Sequence, residues 1–272
     1  MSSLEGGKQI NNKNILFYFD AANAKSYDGV SNTGYSLVLG TTASLLTGVT
    51  WSNASYGAMR FSGTYSVGLQ PYTADSWITC GDRIPKLGLS FPFTLEAWVN
   101  PKKLNGSTSV VGYGVLSLDS CEVFLEGDPN SYYYGVDIAI SPNDGTDTHS
   151  ITTGYYDGTG YGIDSRRSVG TSNRPVICGK WNHIVSVITG INTMQLYLNG
   201  DLMPLSALSG NGGNLTWSGG LGKTVIGKGT GYYKYLFNGD IAMVRAYNSI
   251  LSVDDIKKNY NLHAIRFGLT TK

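Results

Sequence analysis

The sequence predicts an all-β sandwich of two antiparallel sheets, one domain with a single short helix near its C-terminus. Composition is the first observation behind this reading. Of 272 residues 36 are glycine and 19 tyrosine, while only 14% are charged. Few Lys and Glu with many Tyr and Thr disfavour long helices and suit short half-buried strands. The second is periodicity: short alternating apolar runs recur, parted by turn residues every 8–12 positions or so, as in sandwiches. The third is a lone helix-start signal late in the chain, with neither heptads nor an internal repeat elsewhere.

Residues 1–14 (MSSLEGGKQINNKN) are polar and read as an arm. Residues 15–20 (ILFYFD) form the first strand-like run. Residues 21–57 are loop-rich, with a short strand expected at 35–39. Residues 58–61 and 66–69 flank Gly63 as in a hairpin. In residues 93–100 (FTLEAWVN), Phe93, Leu95, Ala97 and Val99 share one face and Thr94, Glu96, Trp98 and Asn100 the other. Pro101 ends that strand because it has no N–H for the ladder. Further strands are expected at 110–118, 122–125 and 132–140. Residues 141–175, rich in Gly, Asp, Thr and Tyr, read as long surface loops around one strand at 151–156. Residues 181–189 (WNHIVSVIT) form another strand. Residues 194–198 and 201–203 flank Asn199-Gly200, two residues that accept the positive φ of a type I′ hairpin turn. Residues 224–226 and 240–247 complete the strands. Ser252 caps a helix with Asp255 three residues on, a capping box, and Leu251 and Ile256 occupy the staple positions. Asp254 and Asp255 in the first turn and Lys257 and Lys258 in the last suit the helix dipole; the helix is expected to end near Asn259.

A formal charge of +1 gives no electrostatic footprint for nucleic acid or an anionic membrane. The polar N-terminus has no apolar core of a secretory signal, and no run of about 18 apolar residues occurs for membrane insertion. Cys80, Cys121 and Cys178 are odd in number and widely spaced, so they indicate neither a disulfide framework nor a zinc site.

Several segments, in order, resemble the laminin G-like, concanavalin A-like jelly-roll family: ILFYFDAANAKSY, AMRFSG, FTLEAWVN, WNHIVSV, MQLYLNGDLM, TVIGK and FNGDIAMVRAYNSILSVDDIKKNY. The last, with Asn259, Tyr260, Arg266, Phe267 and Gly268, is similar to the version found in standalone virion proteins of bacteriophages. The resemblance implies a jelly roll over residues 15–263, between the 1–14 arm and a 264–272 tail. The chain departs from the family at 28–51, where a Trp-x-Asp-x-Ser-Gly signature is missing, and it carries extra material at 120–179.

Glu122 and Glu126 are the close pair among four glutamates. The resemblance includes jelly-roll glucanases that use paired carboxylates, but the Glu-Val-Phe-Leu-Glu spacing is not theirs, and a strand's polar face is the better reading. His183 shares a face with Trp181 and reads as a hydrogen-bonded structural residue; His149 and His263 are too far along the chain to suggest a metal triad. No Gly-x-Ser-x-Gly context supports a hydrolase triad. Asp20 and Asp240 lie inside the best family matches, where some members hold a structural Ca²⁺, and Asn143, Asp144 and Asp147 form a second acidic loop. Tyr132, Tyr133, Tyr134, Tyr155, Tyr156, Tyr161, Tyr232 and Tyr233 make a tyrosine-rich surface suited to protein or glycan contact.

These readings lead to an expected function: a non-enzymatic structural or surface component of a bacteriophage particle, on the capsid or the tail. If Met1 is the native start it would have no fibre shaft of its own and would be attached as a separate component, oligomeric in the assembly. Other virion proteins would be its partners, through the N-terminal arm and C-terminal tail, and host-surface glycans would meet the tyrosine-rich loops. A carbohydrate-binding lectin is the alternative, ahead of a glycoside hydrolase.

Overall fold

The computed structural model describes residues 14–38, 42–45, 48–63, 76–80, 90–103, 113–120, 132–141, 146–160, 163–217, 222–229 and 236–272. Within them the strands are β1 (Ile15–Asp20), β2 (Thr33–Tyr35), β3 (Thr42–Leu45), β4 (Val49–Ser52), β5 (Ala58–Ser62), β6 (Ile78–Cys80), β7 (Phe93–Pro101), β8 (Tyr113–Ser120), β9 (Val136–Ser141), β10 (Thr148–Tyr156), β11 (Arg166–Gly170), β12 (Val176–Ile177), β13 (Asn182–Gly190), β14 (Thr193–Leu198), β15 (Asp201–Leu202), β16 (Lys223–Ile226) and β17 (Asn238–Tyr247). One helix, α1 (Val253–Ala264), follows.

Two antiparallel sheets result. The first has the order β15-β14-β13-β7-β17-β5-β4, and the second β11-β10-β9-β8-β16-β6-β3-β2 with β12 on β10. One edge of β17 meets β7; along the other, its first half pairs with β5 and its second half with β1. The alternation read in 93–100 holds: Phe93, Leu95, Ala97 and Val99 enter the inter-sheet core with Phe17, Phe19, Ile138, Ile140 and Ile151. Each of these side chains larger than alanine, fully buried, contributes about 1.5–3 kcal/mol.

The opposite face of β7 is buried too. Thr94, Glu96 and Trp98 are at most 1% exposed, because α1 lies over them as a third layer. The capping box forms: Asp255 N–H donates to Ser252 Oγ at 3.1 Å and Ser252 N–H to Asp255 Oδ2 at 3.4 Å. Leu251 and Ile256 share one buried cluster, as the staple requires. The helix runs past Asn259 because its buried stripe, Ile256, Asn259, Tyr260 and Ala264, continues over the sheet.

Other elements differ from the sequence reading. The strand expected at 35–39 is β2, which ends at Tyr35. Both edges of β5 are taken by β4 and β17, and the 66–69 half of the expected hairpin lies outside the described residues. The 141–175 stretch holds two strands rather than one, β10 and β11: β10 is nine residues long and pairs with both β9 and β11. Its Gly, Asp and Thr content masked an alternation in which His149, Ile151 and Thr153 point inward. The 122–125 strand lies outside the described residues.

The 264–272 tail packs back onto its own domain. Phe267 is 5% exposed, with its ring 4.5 Å from Trp98 and 4.4 Å from Trp181 between centroids. Tyr260 Oη donates to the Thr270 carbonyl, Asn261 Nδ2 to that of Lys272, and Lys272 pairs with Asp201. Phe267 thereby covers the Trp98 and Trp181 rings, which would otherwise lose that shield from water. Of the 1–14 arm only Asn14 is described; its carbonyl accepts from Asn248 N–H at 3.0 Å.

Candidate functional site

The covered outer face of the first sheet holds a polar network. Glu96 accepts four hydrogen bonds: from Arg245 Nη1 at 2.8 Å and His183 Nε2 at 2.9 Å on Oε1, and from Tyr247 Oη and Asn259 Nδ2, each at 3.0 Å, on Oε2. Burial alone would raise the Glu96 carboxyl, but the Arg245 charge and the bonds from His183 and Tyr247 hold it at about 2. His183 is therefore the hydrogen-bonded structural residue expected, with its ring 5.0 Å from Trp98. In the sequence Glu96 only shares a strand face with Thr94, Trp98 and Asn100; its partners lie on β13, β17 and α1, and no local pattern announces them. Sealed at 1% exposure, it cannot meet a ligand.

Arginines engage both acids proposed for calcium. Arg266 Nη1 reaches Asp20 at 3.1 and 3.3 Å, and Arg60 reaches Asp240 at 2.8 and 3.2 Å. A guanidinium at each carboxylate supplies the positive charge that a cation would bring, so the two are structural anchors. Among the described residues no group of three or more His, Cys, Asp or Glu is placed to hold a metal ion. Asp147 lies within reach of Lys103 at 3.5 Å, while Asn143 and Asp144 lie outside the described residues. His149 meets Cys178 at 3.1 Å, and Cys80 and Cys178 are free thiols.

The tyrosine surface divides. Tyr155, unexposed, belongs to the inter-sheet core, with Phe91 edge-on at 5.1 Å, so it offers no face to a partner. Tyr156 and Tyr133 are also buried, packed edge-on at 5.5 Å. Tyr156 Oη donates to Asp137 Oδ2 at 2.7 Å, and burial together with Asp137 pushes its pKa well above the usual tyrosine range. Tyr155 and Tyr156 are consecutive and so face opposite sides of β10; Phe91 covers one, and Tyr133 with Asp137 covers the other, which a count of tyrosines cannot register. Tyr132 and Tyr134 are half-buried and keep an accessible edge. Tyr161, Tyr232, Tyr233, Glu122 and Glu126 lie outside the described residues.

The second sheet leaves its outer face without a helix among the described residues. Ser141, Ser150, Thr152 and Ser168 point outward from β9, β10 and β11. The segment carrying Ser206 and Ser209 runs along β11, bridging Ser168 to Ser209 and Thr171 to Leu205. Together they line a groove of about 270 Å³. A second cleft, of about 310 Å³, lies where the β2–β3 end of this sheet meets β4, beside Tyr27 and Trp51. The sequence reading singled out neither. The cleft's one available signal is a tryptophan within a Gly-, Ser- and Asn-rich stretch.

Two packed antiparallel sheets with this strand order suggest a lectin-type sandwich, and a family model decides it. The model described as the concanavalin A-like lectin/glucanases superfamily matches residues 72–257. The chain belongs to this superfamily. Solved structures of the same sandwich include the binding domain of Paraclostridial Mosquitocidal Protein 1, at 16% identity and a TM-score of 0.59, covering 94% of this chain and 55% of that one. The binding domain of botulinum neurotoxin DC, in complex with rat synaptotagmin II, is 13% identical with a TM-score of 0.58, covering 92% and 52%. Domain 4 of AbnA, a GH43 extracellular arabinanase from Geobacillus stearothermophilus, in complex with arabinotriose, is 17% identical with a TM-score of 0.50, covering 90% and 97%. At such identities the likeness is one of fold. The chain spans about half the length of the two toxin domains. No curated protein matches it in sequence.

Proposed function

We propose that this lectin-type domain is a non-enzymatic binding component on the surface of a bacteriophage particle. Asymmetry between its outer faces carries the binding part of the reading. One face is closed by α1 and the Arg266–Phe267–Gly268 ending, the stretch that resembles virion proteins. The other presents uncharged hydroxyl groups in a groove, with Tyr132 and Tyr134 on the same half of the fold. Glu96, the described glutamate, is committed to Arg245 and cannot act as an acid or nucleophile. The domain would attach to other virion proteins through residues 1–13, whose polar backbone can pair with a neighbour's sheet edge. Deleting residues 1–13 is expected to leave the melting midpoint unchanged while abolishing incorporation into particles. Antibody labelling of intact particles checks the location: no label, or normal incorporation of the truncated chain, overturns it.

A second reading, a lectin acting on host glycans, is favoured by the hydroxyl-lined groove. A glycan array with wild type and Thr152→Lys tests it; binding lost in the variant supports the groove. Release of reducing sugar from any β-glucan, abolished by Glu126→Gln, would overturn the non-enzymatic reading.

A further inference from the structure

We infer that the cleft beside Trp51 is a binding site for a neutral pyranose sugar, with the indole ring as its platform. The inference rests on the chain being a binding domain, and not on where that domain is carried. Apart from Tyr27, the described residues that line the cleft come from the 28–51 stretch.

Trp51 on β4 is half-buried and held in place. Its Nε1–H donates to the Ala21 carbonyl at 2.9 Å, and its ring lies 6.4 Å from that of Tyr27 at an angle of 46°. Gly29 stands against the six-membered ring with φ +87°. A Cβ at this position would lie 3.7–3.9 Å from three carbons of that ring. The glycine therefore keeps this side of the indole clear of any side chain, and Trp51 is among the residues that line the cleft.

The walls supply the polar half. Asn32 and Thr50 line the cleft and are exposed, and neither side chain makes a hydrogen bond to any described residue. An amide and a hydroxyl are thus left to pair with ligand hydroxyls. Val30, 85% exposed, adds an apolar rim. The Tyr27 hydroxyl is not available, because it donates to the Ser31 carbonyl at 2.8 Å.

Electrostatics narrows the ligand class. No charged side chain is among the described residues lining the cleft. Neighbouring Asp28 accepts from the Val30 and Ser31 N–H groups, both at 2.9 Å. Nothing there would neutralise a phosphate or carboxylate. A purely apolar occupant would strip water from Asn32 and Thr50 without replacing it, which is unfavourable. A volume of about 310 Å³ lies at the small end of the roughly 300–1,000 Å³ of ligand sites, suited to one or two sugar rings.

The test is saturation-transfer NMR followed by calorimetry. The probes are the methyl glycosides of glucose, galactose, mannose, fucose and N-acetylglucosamine, applied to the full chain. The double variant Asn32→Ala/Thr50→Val changes only exposed side chains and retains the fold, which a melting curve verifies. At least one glycoside should bind wild type, and the double variant should weaken it about tenfold or more, as expected for two lost hydrogen bonds. Trp51→Phe, which shrinks the platform, should also weaken it. The site is overturned if no glycoside binds, or if binding is unchanged in the double variant. Binding kept in the double variant but lost in Thr152→Lys would place the sugar in the hydroxyl groove; that result overturns the cleft and leaves the binding-domain reading standing.

Discussion

Glu96 Oε1 lies 2.8 Å from Arg245 Nη1, and both side chains are closed off between the first sheet and α1. Paired strands bring them together: Glu96 of β7 is the register partner of Arg245 of β17. Removing one charge leaves the other buried and uncompensated. Glu96→Gln is therefore expected to destabilise the domain by about 3–5 kcal/mol. Glu96→Leu combined with Arg245→Met should be less damaging than either single change, because no charge is left stranded. Urea midpoints measure this, and a double variant worse than both singles would contradict it.

Stability should fall with acidification in two stages. His263 Nε2 lies 2.8 Å from Arg245 Nη2, a contact in which a neutral ring accepts and a protonated ring cannot. Burial first, and then the Arg245 charge, hold its pKa at about 3, below the usual 6.5. As pH falls below 6.5 the unfolded chain takes up a proton that the folded chain refuses, so stability declines between 6.5 and about 3. Glu96, held at about 2 against a usual 4.5, acts with the same sign: its contribution is present above 4.5 and is lost as pH falls toward 2. Melting midpoints recorded from pH 8 to 3 should show both stages. In His263→Gln the loss between 6.5 and 4.5 should shrink while the lower stage remains.

Phe267 should be among the most sensitive positions of the C-terminal stretch. Its ring fills the space between Trp98 and Trp181, and Arg266 beside it holds Asp20 and the carbonyls of Tyr56 and Gly57. Phe267→Ala is expected to cost about 3–5 kcal/mol, and Arg266→Gln about 1–3 kcal/mol. Thermal unfolding of a chain ending at His263 gives the broader check. A midpoint equal to that of the full chain would show that residues 264–272 are dispensable for folding.

The Asn199-Gly200 turn should resist substitution. Asn199 has φ 50° and Gly200 φ 85°, the two positive angles of a type I′ hairpin between β14 and β15. Gly200→Val should destabilise by about 1 kcal/mol or more, since a β-branched side chain resists positive φ. An added Cβ would also come within 3.4 Å of Lys257 on α1. An unchanged melting midpoint would count against the turn type.

What the sequence by itself determined was whatever short-range physics dictates. The period-2 pattern of FTLEAWVN decided which face of β7 enters the core, because successive side chains in a strand must point oppositely. Asn199-Gly200 decided a turn, because few residues tolerate positive φ, and Ser252 with Asp255 decided where α1 begins, because the first-turn N–H groups need acceptors. Tertiary structure alone decided what those faces meet. Nothing near Glu96 in the chain announces Arg245 or Asn259, which follow it by 149 and 163 residues. Asp20 and Asp240 read as metal ligands until the fold placed an arginine at each. Tyr155 and Tyr156 read as surface until the fold set Phe91 against one and Tyr133 with Asp137 against the other. Charge, burial and cleft shape are properties of segments brought together by long-range pairing, and local sequence carries the propensity of each segment without the identity of its partner.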